Sequence, residues 1–241
     1  MSKYIFTSES VSEGHPDKVC DAISDAVLDN LLQQDPESHV ACETLATTGT
    51  VIVSGEIRSN GEVDVEKIVK NTLGEIGYTN KAYGIDNNKV KVISMLDEQS
   101  PEIAQGDDEG SGLHEEQGAG DQGLMFGFAC DETKELMPLP IHLSLRLVER
   151  MTDLRKDGTI PWLRPDSKSQ VSVAYEEDRP VSITKVVIAT QHDDMIEKFG
   201  NEDAEHDFVE KEIIEQVITP VLDEAGLPYN ESLIVNGTGR F

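Results

Sequence analysis

A polar stretch, Ser8-Glu9-Ser10-Val11-Ser12-Glu13-Gly14-His15-Pro16-Asp17-Lys18, runs directly into a helix start at Pro16. Unpaired backbone N–H groups and the helix dipole make such a place favourable for phosphate. There His15 could donate to a phosphate or a departing oxygen, and Asp17 could hold Mg2+ through a carboxylate oxygen. The same residues also read as a capped helix start, with Asp17 complementing the dipole. Glu43 and Glu56 sit inside two β-rich runs. An acid there needs a partner or an ion if it faces inward, and only water if it faces outward. Gln117–Gly123 packs three glycines around Asp121, a carboxylate that could receive an ammonium group. It is neither a dinucleotide fingerprint nor a Walker loop. Pro161–Gln170 carries the single tryptophan, Trp162, with Arg164 and Lys168. Those two cations are candidate phosphate contacts, or the stretch is a rigid surface turn anchored by Trp162. His39, His114, His142, His192 and His206 lack zinc-ligand spacing and read as structural or solvent-facing.

The elements that must position these residues follow from periodicity. Apolar residues at 19, 23, 27 and 31 predict a helix, with Pro16 in its first turn and Asp35-Pro36 as its stop. Val40–Thr47 and Thr50–Ile57 predict a hairpin through Thr48-Gly49. Val65–Ile76 predicts a helix ended by Gly77, and Val90–Leu96 a half-buried strand. With Tyr4–Thr7 leading, the order is β-α-β-β-α-β. Residues 98–123 break the pattern with six glycines, eight acids and no Lys or Arg. The order then returns: Leu124–Cys130 as strand, Leu136–Arg155 as helix, Gln170–Tyr175 and Ser182–Gln191 as hairpin, Ala204–Leu222 as helix and Ser232–Val235 as strand. The expected fold class is α+β, with tandem two-layer β-α-β-β-α-β repeats. The expected division is 1–97 for the N-terminal repeat, 98–117 for a mobile gating loop and 118–241 for the central repeat.

Composition limits the function. The chain carries 47 acidic and 20 basic residues, a formal charge of −27. Such a surface repels nucleic acids and anionic membranes, so neither is an expected partner. Cys20, Cys42 and Cys130 are odd in number and widely spaced, and read as reduced thiols. No signal peptide or apolar span is visible, so the expected location is cytoplasmic.

Five stretches together resemble the methionine adenosyltransferase (S-adenosylmethionine synthetase) family. They are Phe6–Lys18, Ala41-Cys42-Glu43-Thr44, Gly118–Gly127, Trp162–Asp166 with Lys168-Ser169-Gln170-Val171, and Gly237-Thr238-Gly239-Arg240-Phe241. They occur in family order from residue 3 to 241, and five in sequence are specific where any one is weak. The resemblance implies attack of the methionine sulfur on C5′ of ATP, expelling a triphosphate that is then hydrolysed to phosphate and diphosphate. It implies that His15 contacts the triphosphate near the breaking bond and that Asp17 holds Mg2+. Glu43 would bind K+. Glu56, Gln99 and Asp121 would bind methionine, with Asp121 gripping the ammonium group. Asp166, Lys168, Arg240 and Phe241 would contact ATP. Intertwined repeats are implied, in homodimers or dimers of dimers with sites at the subunit interface. The family continues beyond the Gly-Arg-Phe segment into a third repeat, so this chain is expected to hold the first two domains only. The alternative expectation is a truncated, non-catalytic subunit that pairs with or regulates a full-length synthetase.

Overall fold

The computed structural model describes residues 3–99, 123–229 and 232–239. The described residues fall into two compact units, one of residues up to Lys18 with those from Ala129 on, the other Val19–Phe128. The fold is mixed α+β, with one sheet in each unit.

The first unit is built on a sheet of order β1-β5-β6-β7. Its strands are β1 (Lys3–Val11), β5 (Leu163–Glu176), β6 (Arg179–His192) and β7 (Leu233–Val235). β1 and β6 run antiparallel to β5, and β7 runs parallel to β6. Every second residue of β5, from Leu163 to Tyr175, is buried on the inner face, as the two-residue period of a half-covered strand requires. Helix α3 (Leu139–Lys156) contributes Leu143, Leu147 and Met151 to the same core. The helix starts three residues later than its apolar pattern because Pro138 disfavours helical backbone in Met137. Glu132 completes that start: one carboxylate oxygen accepts from Leu139 N (2.8 Å) and from the Tyr175 hydroxyl (2.7 Å).

A short helix α4 (Ile196–Phe199) leads to α5 (Glu202–Ile213), a π turn (Ile214–Ile218) and α6 (Thr219–Ala225). The sequence pattern predicts one uninterrupted helix here. The interruption has a cause in Pro220, which has no N–H to give to Gln216 O four residues back. Arg150 Nε donates to that carbonyl instead, at 2.5 Å.

In the second unit the sheet order is β2-β3-β4, with β2 (His39–Thr47), β3 (Thr50–Arg58) and β4 (Lys91–Glu98). The β2–β3 hairpin turns at Thr48-Gly49, where Gly49 takes φ 66°, and β4 runs parallel to β3. Helix α1 (Pro16–Leu32), in which the division between the units falls, brings Val19 and Ile23 to this core. Helix α2 (Val65–Ile76) adds Val69 and Leu73 over Val51 and Val53. Asp64 caps α2 by accepting from Lys67 N at 3.0 Å, and Gly77 ends it at φ 111°.

Each unit thus repeats one plan, an antiparallel hairpin followed by helix and a strand parallel to the hairpin's second arm. The leading strand β1 does not join the first hairpin; it pairs with β5, so the repeats are interleaved. Leu124–Cys130, expected as a strand, has no regular secondary structure. A strand exists only through a hydrogen-bonded neighbour, and no described residues pair with it. Its Leu124, Met125, Phe126 and Phe128 are 79–91% exposed.

Candidate functional site

The first unit brings His15, Asp17, Asp166 and Lys168 onto neighbouring backbone. Where β1 ends, Ser12 turns the chain off the sheet. Its hydroxyl donates to Pro165 O at 2.7 Å and accepts from Ser167 N at 2.8 Å, while Ser12 N donates to Ser167 O at 2.9 Å. All of this is buried. Gly14 lies against Pro165 so closely that an added Cβ would stand 2.3 Å from the Pro165 carbonyl carbon. Glu13 is held by Arg155 and by Lys156 (2.8 Å), both at the end of α3. The turn closes with His15 N donating to Ser12 O at 3.0 Å.

His15 is thereby presented with a defined ring. Asp17 N donates to His15 Nδ1 at 3.2 Å, so the neutral ring carries its proton on Nε2 and offers a donor there. The Asp17 carboxylate is 3.7 Å from Nδ1, beyond hydrogen-bond length, and is 86% exposed against 12% for His15. Across from the turn, Asp166 Oδ1 is shielded from solvent and has no hydrogen-bond partner among the described residues. Burial raises the Asp166 carboxyl above the ordinary range, opposed by His15 when its ring is protonated and by the charge of Lys168. Lys168 is exposed on the outer face of β5. Arg164 is engaged otherwise: its guanidinium clasps Asp193, with Nε donating to Oδ1 at 2.6 Å, and Nη1 donates to Leu163 O at 2.6 Å. It braces the strand start rather than presenting a cation to phosphate.

In the second unit, Glu43 and Glu56 stand on one face of the sheet, because Ala41 pairs with Glu56 and Glu43 with Ser54. That face is the exposed one. Gln99 follows β4, its N–H on Ile57 O at 3.1 Å and its Oε1 shielded without a partner among the described residues. Asp121, Arg240 and Phe241 lie outside the described residues, as does most of the expected gating loop. Among the described residues no three His, Cys, Asp or Glu side chains converge as a metal cluster would.

Two family models cover nearly the whole chain: the S-adenosylmethionine synthetase N-terminal domain matches residues 3–101 and the central domain residues 116–241. The chain belongs to the S-adenosylmethionine synthetase family. The S-adenosylmethionine synthase of Desulfosudis oleivorans is 50% identical over 238 residues, which is 99% of this chain and 59% of that protein. Two Prochlorococcus marinus S-adenosylmethionine synthases, from strains MIT 9313 and MIT 9303, are each 48% identical over 249 aligned residues. They match all of this chain and 59% of their own length. The chain therefore spans about three fifths of these relatives.

For a synthetase-family chain, several residues that shape the candidate site are not singled out by their chemistry. Ser12, Gly14 and Glu13 are neighbours of His15 but carry no obvious reactive role. Asn236, buried at the end of β7 with φ 45°, accepts from Thr190 N (2.8 Å) and donates to Thr190 O (3.1 Å). The available signal was a small polar residue closing an apolar strand, next to glycine.

Proposed function

We propose that the protein forms S-adenosylmethionine from ATP and L-methionine, releasing phosphate and diphosphate. The carrying observation is that a family member holds His15, just before the start of α1, beside the stretch of β5 that bears Asp166 and Lys168. A thioether sulfur is already nucleophilic, so the reaction requires alignment of sulfur with C5′ and stabilisation of a departing polyanion. His15 Nε2–H supplies a donor near the bond that breaks, and Lys168 a cation for the phosphates. Asp166 Oδ1 supplies an acceptor for a donor on the nucleotide. Arg240 and Phe241 complete the ATP contacts, and Glu56, Gln99 and Asp121 bind methionine. Asp121 takes the ammonium group beside the reacting sulfur.

Asp17 suits Mg2+, which commonly uses one or two carboxylates together with water and substrate phosphates. Its exposed carboxylate at the helix start is such a donor. Glu43 offers an oxygen for K+ on an accessible sheet face. When bound, the cations would neutralise triphosphate charge and shape the site. Residues 98–117 act as the gate, on the strength of their glycine and acid content. Two copies pair through the outward face of β2–β4, where Leu45 and Met95 are each 55% exposed beside the acids. On this reading the site lies at the subunit interface of a homodimer or dimer of dimers. The three thiols suit a reducing, cytoplasmic setting.

The test supplies purified protein with ATP, methionine, Mg2+ and K+, and measures S-adenosylmethionine by mass spectrometry and ATP affinity by calorimetry. His15→Ala is expected to lower turnover about 100-fold or more while leaving the thermal midpoint nearly unchanged. Protein that binds neither ATP nor methionine would overturn the reading. The exposed Leu45 and Met95 on the β2–β4 face suit one second reading, a non-catalytic subunit that pairs with a full-length synthetase. Its signature is product formed only after such a synthetase is added, at a rate the added protein alone does not reach.

A further inference from the structure

Ser12 and Asn236 occupy matching positions on opposite flanks of one sheet. Ser167 of β5 and Thr190 of β6 are register partners. At that level both outer strands have stopped, β1 at Val11 and β7 at Val235. The outward backbone groups of Ser167 and Thr190 would then have no strand to bond, a costly state in a buried place. On one flank Ser12 satisfies both groups of Ser167, its hydroxyl taking the N–H at 2.8 Å and its own N–H giving to the C=O at 2.9 Å. On the other flank Asn236 satisfies both groups of Thr190 with its side-chain amide alone, at 2.8 and 3.1 Å. Ser12, Ser167, Thr190 and Asn236 are all buried, none more than 3% exposed.

The register of β5 with β6 is irregular between Leu163 and Ser167. Asp166 sits within that irregularity, and Lys168 just past it. The chain that carries His15 leaves the sheet at Ser12, and the chain that carries Gly237–Gly239 leaves it at Asn236. We infer that Ser12 and Asn236 are a matched pair of positioning residues that release these two segments from the sheet at one level, fixing them relative to Asp166 and Lys168. This assignment rests on the proposed ATP site, and it adds two residues that touch no substrate. The left-handed backbone of Asn236 and its two-way amide give a specific chemical reason for asparagine: aspartate could accept from Thr190 N but could not donate to Thr190 O.

The experiment compares wild type, Asn236→Gly, Ser12→Ala, Ser12→Thr and Val209→Ala. Glycine keeps the backbone conformation of residue 236 and deletes only its amide. Val209 is buried in the first unit's core and its apolar side chain bonds neither segment, so Val209→Ala serves as a control for lowered stability. ATP affinity, kcat, the KM for ATP and thermal midpoint are measured, with hydrogen exchange at Thr190 and Ser167. Asn236→Gly and Ser12→Ala are expected to lower kcat/KM for ATP about tenfold to a hundredfold. Val209→Ala should leave it unchanged, and Ser12→Thr should restore most of the loss. Exchange at Thr190 should quicken in Asn236→Gly, and at Ser167 in Ser12→Ala. Folded variants that handle ATP as Val209→Ala does would overturn the positioning role while leaving the proposed activity intact. A wild-type protein that binds no ATP would overturn both.

Discussion

The two units share a hairpin, helix and parallel-strand plan, yet they hold their candidate residues in opposite ways. In the first, β1 adds a fourth strand, and the turn after it is pinned at Ser12, packed at Gly14 and anchored at Glu13. His15 and Asp166 are largely enclosed by the protein that orients them. In the second, Glu43 and Glu56 stand on the uncovered face of a three-stranded sheet. The difference teaches that the proposed nucleotide end is preorganised by the fold itself, whereas the acids of the second sheet depend on whatever covers that face.

The sharpest break of this contrast is steric. Gly14→Ala puts a methyl group against Pro165 backbone, where neither side can yield without shifting β5. We expect a loss of about 3 kcal/mol in unfolding free energy, together with lost ATP binding. Gly49→Ala in the β2–β3 turn meets nothing within 4 Å and pays only for left-handed backbone at φ 66°. Its expected cost is about 1 kcal/mol. Urea denaturation of the two variants decides it, and equal costs would remove the claim that the first unit is the more constrained.

Charge gives a second, smaller contrast. Glu13→Gln weakens contacts to Arg155 and Lys156, of which the Arg155 side chain is 11% exposed. Charge-assisted bonds in such a place are worth about 2 kcal/mol. Glu43→Gln changes an exposed residue with no described partner and should stay within about 0.5 kcal/mol. A denaturant midpoint for Glu13→Gln close to that of Glu43→Gln would show that the Glu13 anchor is ornamental.

Much of this was legible in the sequence because it is written in periodicity. The α2 boundaries at Val65 and Ile76 match, since apolar spacing, the Asp64 cap and Gly77 all agree. The hairpins and their order were readable too, although β5 begins at Leu163 rather than at the expected Gln170 and takes in much of the stretch that also read as a surface turn. The partner of β1 was not, because strand periodicity gives a face but never a neighbour. The same gap misread Leu124–Cys130, whose apolar run satisfies the propensity for a strand without a described ladder to join. The π turn was hidden because Pro220 announces a broken bond, while its repair by Arg150 lies 66 residues away in sequence. Of the candidate site, His15, Asp17 and Lys168 were accessible from residue type, and Asp166 only through the family resemblance. Their supports were not, since serine or asparagine becomes meaningful only once a strand is seen to end there.

Asp166 allows the enclosure of the first unit to be read by pH. Burial raises its folded pKa above the unfolded value. A group shifted upward contributes stability that is fully present below the unfolded pKa and is lost as pH rises through the folded one. Stability of the wild-type protein should therefore fall across the window just above the ordinary aspartate range. Asp166→Asn should flatten that fall and be the more stable protein near neutrality. Unfolding free energies measured from about pH 4 to about pH 7 test the sign. An unchanged slope in the variant would mean that His15 and Lys168 already compensate the buried charge.

The smallest expected effect lies at Thr190, and it separates backbone from side chain within the same strip. The Thr190 backbone is bonded to Asn236 through both its N–H and its C=O. Its hydroxyl is buried and has no partner among the described residues. Thr190→Val keeps the shape and every backbone bond while removing a polar group that gains nothing where it is. Deleting an unsatisfied hydroxyl is nearly neutral or stabilising, by about 1 kcal/mol at most, and valine suits a strand interior. The thermal midpoint should hold or rise slightly, with ATP affinity unaltered. A clear drop would mean that the hydroxyl serves an ordered water or an approaching ligand, and the strip would then belong to the site rather than to its support.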